Sequence, residues 1–366
     1  MIAADPTAIP EALARSRELV LAHGYNATAY QILNPGIRRW FSPAGDAVVG
    51  YVPSGGYRVV AGSPVCAPDR LAAAVAAFED DTHRRGRWSC YFAAEERLAR
   101  LLARRGPLDR ILLGAQPVWD PSAWPAILAR KASLRAQLYR ARNKGVVVTR
   151  WPAERATAHP SLKRCLDHWL AGRGLPPLHF LIEPETLGRL YDRRVFVAAR
   201  GDDVVGFLVA SPVPARRGWL VEQTIRGPGA PNGTSELLLD AAMRHLAAGG
   251  AAFVTLGLSP LSRRAGVTPP PQPWWIRLLL DWLRAHGRRF YNFEGLDSYK
   301  AKFLPQAWEP IYAITSERRV GLGTLYAIAG AFGKTPPPLL LLRAVARAAR
   351  QEARWLGQRF ERGRPA

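Results

Sequence analysis

The sequence predicts an α/β fold, in which central mixed sheets are flanked by helices, on three observations. Short apolar, strand-like runs alternate with runs of helical period along most of the chain. Clusters of Gly, Pro and Asp separate them as turns. Hydrophobic residues make up 48% of the 366 residues, enough for cores in two domains at roughly 150 residues each.

Residues 5–23 read as an amphipathic helix stopped by Gly24. AVVGYV (47–52) and YRVVAG (57–62) flank Pro53-Ser54-Gly55-Gly56 and read as a hairpin. Pro68-Asp69 then opens the helical run RLAAAVAAFEDDTHRRG, with Gly86 as its stop. WSCYFA (88–93), EERLARLLARRG and RILLGA (110–115) follow as strand, helix and strand. Residues 129–144 are helical in period and basic, with Arg135, Arg140, Arg142 and Lys144 among Leu134, Leu138 and Tyr139. Such a run reads either as a solvated face or as a nucleic-acid-binding helix.

The alternation then restarts. VFVAAR (195–200) and VVGFLVASPV (204–213) are joined by the turn Gly201-Asp202-Asp203. WLVEQTIR (219–226) is a strand, and GPGAPNGT leads into the helix SELLLDAAMRHLAAGG with Thr234 or Ser235 as its N-cap. AAFVTLGL (251–258) reads as a strand, WWIRLLLDWLRAHG (274–287) as a helix, and WEPIYAIT as the last element. The simplest parse is a unit at 1–150, a second at 151–318, and a basic amphipathic region at 319–366. In that last region Arg343, Arg347, Arg350 and Arg354 share one helical face. Leu341, Val345, Ala349, Leu356 and Phe360 lie opposite, a pattern for an anionic membrane surface or for packing on the protein body.

Lys plus Arg is 51 against 29 acidic residues, a formal charge of +22. A surplus of that size opposes compaction and points to a polyanionic partner, nucleic acid or an anionic membrane, against the blander reading of an Arg-rich composition. Three cysteines without C-x-x-C spacing exclude a disulfide scaffold and a zinc ribbon, and fit a reducing compartment. No signal-peptide pattern opens the chain. The longest apolar stretch, Val320 to Gly333, is too short to span a bilayer. The expected location is the cytoplasm, with attachment at the inner membrane face. Walker, zincin, nucleophile-elbow and dinucleotide-binding motifs are all missing and the seven histidines are scattered, so no metal and no cofactor is expected.

The stretch with most chemical content is Leu220 to Met243. A strand carries Glu222 and Arg226, glycines 227, 229 and 233 let backbone approach a ligand, and a helix N-terminus follows. Unpaired amides at such a junction suit an anionic group. Arg226-Gly227-Pro228-Gly229-Ala230-Pro231 resembles the R/Q-x-x-G-x-G/A loop of the acyl-CoA N-acyltransferase fold, except that Pro231 stands where that fold has Gly or Ala.

The chain as a whole resembles the C-terminal catalytic domain of lysylphosphatidylglycerol and alanylphosphatidylglycerol synthases. Matching stretches include YRVVAGSP (57–64), LRAQLYRARNKG (134–145), IRGPGAPNGTSELLL (225–239) and YNFEGLDSYKAKFLPQAWEPIY (291–312), covering most of residues 30–316. The resemblance implies two acyltransferase-like folds in tandem and transfer of an aminoacyl group from charged tRNA to a lipid hydroxyl. It also implies an anionic phospholipid partner and, since no integral-membrane flippase portion lies in these residues, a separate flippase. The family's acidic position before the Arg is taken by Gln223, with Glu222 its neighbour, and its helix Asp corresponds to Glu236.

Ester exchange needs a base for the attacking hydroxyl and positive charge for the developing oxyanion. Glu222 and Glu236 are candidates for the base or for the holder of an α-ammonium. Arg226, Lys300 and Lys302 are candidates for a phosphate or the oxyanion, and Tyr299, Asn232 and Gly233 complete the binding set. Lys300 and Lys302 read as sharing one face of an extended segment, where protective edge lysines are the competing explanation. Trp274 and Trp275 read as core or as the wall of a lipid groove. The competing functions are an acyl-CoA-dependent N-acyltransferase and a non-catalytic membrane- or RNA-binding module.

Overall fold

Period-two alternation of apolar residues lets each strand serve a core on either side of a sheet, and the fold uses this throughout. A computed structural model describes residues 10–106, 109–172, 180–181, 183–270, 273–286, 292–317 and 319–333. Its first strands are β1 (Arg38–Phe41), β2 (Ala47–Ser54), β3 (Tyr57–Ala61), β4 (Val65–Cys66), β5 (Trp88–Glu95), β6 (Arg110–Trp119) and β7 (Val146–Trp151). β8 (Arg194–Arg200), β9 (Asp203–Val213), β10 (Gly218–Arg226), β11 (Phe253–Thr255), β12 (Ser259–Pro260) and β13 (Ala307–Thr315) follow. All join one mixed sheet in the order β1-β2-β3-β5-β13-β6-β11-β10-β9-β8-β7, with β4 on β2 and β12 on β6.

The helices are α1 (Glu11–His23), α2 (Leu71–Arg84), α3 (Glu96–Ala103), α4 (Trp124–Arg130), α5 (Ala132–Asn143) and α6 (Ala153–Ala156). After them come α7 (Pro160–Ala171), α8 (Thr234–Ala248), α9 (Trp274–His286), α10 (Phe293–Ala301) and α11 (Leu322–Phe332). One sheet face carries α2 and α3 over Val60, Tyr91 and Tyr312, and α4, α5 and α8 over Trp119, Phe196, Leu208 and Val254. The opposite face carries α1 and α11 over Val48, Val59 and Cys90, α7 over Val195 and Phe207, and α9 over Ile111 and Ala313.

Four sequence expectations change. First, β13 comes from the end of the described chain yet pairs antiparallel with both β5 and β6. The boundary near residue 150 therefore divides the sequence and not the sheet. Second, the helical run at 129–144 breaks at Lys131. There Arg135 Nη1 donates to the carbonyls of Leu128 and Ala129, at 2.6 Å each, and so satisfies the open end of α4. Third, the N-cap of α8 is Gly233, because Thr234 Oγ1 donates backwards to Pro231 O at 2.7 Å. Fourth, Lys300 and Lys302 do not sit on an extended edge. Asn292 Oδ1 accepts from Gly295 N at 2.9 Å, starting a helix that buries Lys300 and ends at Lys302. The expected strand at 251–258 is confined to 253–255. The arginine face from Arg343 to Arg354 lies outside the described residues.

Candidate active site

β10 ends at Arg226, and the chain turns through Gly227 and Gly229 before α8 begins at Thr234. Arg226 Nη2 donates to Ala230 O at 2.8 Å, pinning the loop against the strand end. Gly233 adopts φ 94°, and a Cβ there would lie 2.1 Å from the carbonyl oxygen of Gln137 on α5. Only glycine permits this approach of α5 to the start of α8. The close approach, together with α10, encloses a hollow of about 400 Å³ lined by Gln137, Arg140, Arg226, Asn232, Gly233, Ser235, Glu236, Tyr299 and Lys302. A cavity of that size accommodates a small polar group of a larger substrate.

At its floor Lys302 Nζ lies 2.5 Å from Glu236 Oε1. The ammonium also sits 4.1 Å from the centre of the Tyr299 ring, a cation–π contact. Tyr299 packs edge-on against Phe303, with ring centres 5.1 Å apart. Burial raises its phenol well above the usual range, the nearby Glu236 charge adds to this, and a hydrogen bond with Ser235 opposes it. Tyr299 therefore keeps its proton at neutral pH and presents a hydroxyl. Thr234 N donates to Pro231 O, but no side chain caps the first turn of α8, so the next amides, of Ser235 and Glu236, remain available to an anion.

Six of the eight residues expected to carry catalysis or substrate binding line this hollow: Arg226, Asn232, Gly233, Glu236, Tyr299 and Lys302. Glu222 does not. It occupies a bulge in β10, where Oε1 accepts from Arg193 Nε at 3.0 Å, the two side chains being only 6% and 2% exposed. Arg193 in turn donates to Arg189 O and Asn34 Oδ1 and stacks over Tyr30. Glu222 thus pairs with Arg193. Gln223 is buried too, donating to the carbonyls of Glu183 and Pro184.

Lys300 turns away from the hollow. Its Nζ donates to Gly257 O and Leu258 O at 2.9 and 2.8 Å, and burial pushes it down to about 7 against partial opposition from Asp297. Of the four basic residues expected to bind nucleic acid, Arg140 alone reaches the hollow. Arg135 completes α4, Arg142 pairs with the buried Asp240 at 3.0 Å, and Lys144 is exposed after the helix end. Trp274 is 68% exposed, while Trp275 packs beside Ile276 and Val320. Gln137 and Ser235 line the hollow without having been expected there. Ser235 stood at the expected start of the helix, but nothing local marks Gln137, whose place depends on α5 meeting Gly233.

Among the described residues no helix is long and apolar enough to cross a membrane, and no three His, Cys, Asp or Glu side chains group as metal ligands. Comparison with solved structures relates the fold to the C-terminal domain of a putative lysylphosphatidylglycerol synthetase from Agrobacterium fabrum. The two share a TM-score of 0.73 and 22% identity over 87% of this chain and 96% of that one. L-PGS from Bacillus licheniformis is similar at a TM-score of 0.71 and 18% identity, over 90% of this chain and 98% of that one. A conserved protein of unknown function from Bacteroides thetaiotaomicron follows at 0.60 and 13%, over 83% and 97%. No curated protein sequence matches. A family profile described as phosphatidylglycerol lysyltransferase, C-terminal, matches residues 4–315. With that match spanning most of its length, the chain belongs to the phosphatidylglycerol lysyltransferase C-terminal family, a family of acyltransferase-type enzymes.

Proposed function

We propose that this chain moves an aminoacyl group from the 3′ end of a charged tRNA to the hydroxyl of phosphatidylglycerol or a closely related anionic lipid. The observation that carries the reading is the Lys302–Glu236 pair at the floor of a hollow that also presents Arg140 and Arg226. In this reading the Glu236 carboxylate takes the proton of the lipid hydroxyl. That oxygen attacks the ester carbonyl carbon, a new C–O bond forms, and the bond to the ribose oxygen breaks. The proton passes to the departing ribose hydroxyl. One ester replaces another, so no cofactor is needed to drive the step. Lys302 offsets charge on the carbonyl oxygen at the crowded stage, while Arg226, Arg140 and the amides of Ser235 and Glu236 hold a phosphate. Tyr299 and Asn232 supply hydrogen bonds around the transferred group.

In this reading the lipid is met at the inner membrane face. Family membership supports the lipid acceptor; the net charge of +22 supports an RNA donor as well as an anionic surface. The test is transfer of radiolabel from aminoacyl-tRNA to the lipid fraction of phosphatidylglycerol vesicles by the purified chain. Glu236→Gln and Lys302→Met should each lower the rate by roughly 10²–10⁴-fold with little change in melting temperature. Label that enters no lipid from any charged tRNA overturns the reading.

A further inference from the structure

A second cationic hollow, of about 250 Å³, opens on the other half of the sheet between the hairpin β2–β3 and the turn after α2. It is lined by Arg38, Arg58, Arg85 and Arg87, with Tyr51 and Pro53 as its apolar walls. Arg58 is its fixed part. That side chain is only 5% exposed, stacks over Tyr51 and Phe78 at 4.9 and 5.4 Å, and donates to Asp81 and Thr82 at 2.7 and 3.0 Å. Asp81 is shared with Arg85 at 3.3 Å, so one carboxylate serves two of the four guanidinium groups. Arg38 and Arg87 are exposed and, among the described residues, have no carboxylate partner in an ion pair. Guanidinium forks converging on a recess match the paired oxygens of a phosphate.

We infer that this recess is a binding site for the phosphodiester backbone of an RNA strand, distinct from the candidate active site. Strand directions carry the choice of RNA. From β3 to β10 the neighbouring pairs run parallel, antiparallel, antiparallel, antiparallel and parallel. The start of β3, at Arg58, and the end of β10, at Arg226, therefore lie at the same end of the sheet. Both hollows also open on the face that carries α2, α5 and α8. Five strand spacings separate them, on the order of 25 Å. One lipid headgroup cannot bridge that span, whereas an RNA whose end occupies the first hollow carries phosphates across it. A membrane-binding surface also requires a group of exposed apolar residues; α9 and α11 present Trp274, Leu278, Leu322 and Tyr326 on the opposite face, whereas α5 exposes Tyr139 on this one. The identity of the occupant rests on the proposed function. Contacts of this kind position the nucleic acid without reading its sequence.

The experiment measures binding of a 5′-fluorescein-labelled uncharged tRNA to the full chain between about 50 and 200 mM salt. It is paired with co-sedimentation on phosphatidylglycerol vesicles. The double variant Arg38→Ala/Arg87→Ala touches only exposed side chains and leaves Arg58 in place. It should bind the tRNA at least about tenfold more weakly and flatten the log–log salt slope by about 1 to 2, with vesicle binding unchanged. The control Arg104→Ala/Arg200→Ala, which removes equal charge elsewhere, should shift both quantities less. A tRNA titration identical to wild type, an equal loss in the control, or loss of vesicle binding alone overturns the inference and leaves the proposed function standing. A wild-type chain that binds no tRNA overturns both.

Discussion

Glu222 and Glu236 carry the same side chain toward different ends. Glu236 meets Lys302 at the floor of a solvent-reached hollow, whereas Glu222 is enclosed with Arg193. Removing one partner of a buried ion pair strands the other charge, at a cost of about 3–5 kcal/mol. Glu222→Gln should therefore lower the urea midpoint strongly, and the combined change with Arg193→Met should recover much of the loss. Loss of transfer at unchanged stability in Glu222→Gln would move that residue into the chemistry. Lys300 makes a pH prediction. Below about 7 both folded and unfolded chains hold its ammonium, and the burial penalty is present in full. Between about 7 and the unfolded value of 10.5 the unfolded chain binds more proton, so stability rises with pH. Urea midpoints should show this rise in the wild type and lack this component in Lys300→Met.

At the scale of elements, the site depends on two helices meeting where neither has a side chain to spare. α8 starts at a glycine held at φ 94° because the carbonyl of Gln137 occupies the space of a Cβ. Gly233→Ala adds left-handed strain, on the order of 1–3 kcal/mol, and also pushes α5 away from α8. Gln137 and Arg140 move with α5, so the rate of the proposed transfer should fall by more than the stability loss explains. Thermal melts and rates measured on the same preparation check this. Transfer that survives in a variant whose melting temperature has dropped would show that the α5 wall is dispensable. The sequence made this strand–loop–helix legible because its residues are close in the chain: Arg226, Asn232, Gly233 and Glu236 stand within eleven residues. Arg193 as the partner of Glu222 was not legible, since it comes from another strand's start.

At the scale of the molecule, β13 joins what the sequence divides. It supplies the antiparallel neighbour of both β5 and β6, placing Tyr312 and Ile314 in one core and Ala313 in another. A fragment ending at residue 150 leaves β5 and β6 facing each other across an empty strand position, with two rows of unpaired backbone groups. Expressed alone, residues 1–150 should aggregate or lack a cooperative unfolding transition. Co-expression with residues 151–366 should restore a soluble complex. A cooperative transition in the isolated fragment would show that the first half completes its own core.

By itself the sequence determined the α/β class, most strand and helix positions, the loop from Arg226 to Glu236 and the cationic character of the surface. These depend on periodicity, turn residues and charge, which act over a few residues. Only the tertiary structure decided which glutamate enters the hollow, that Lys300 is buried while Lys302 is presented, and that the last strand lies inside the first half of the sheet. Apolar strands of similar alternation are locally interchangeable. Which of them pair is settled by how distant side chains fill a common core, and no window of sequence contains that information.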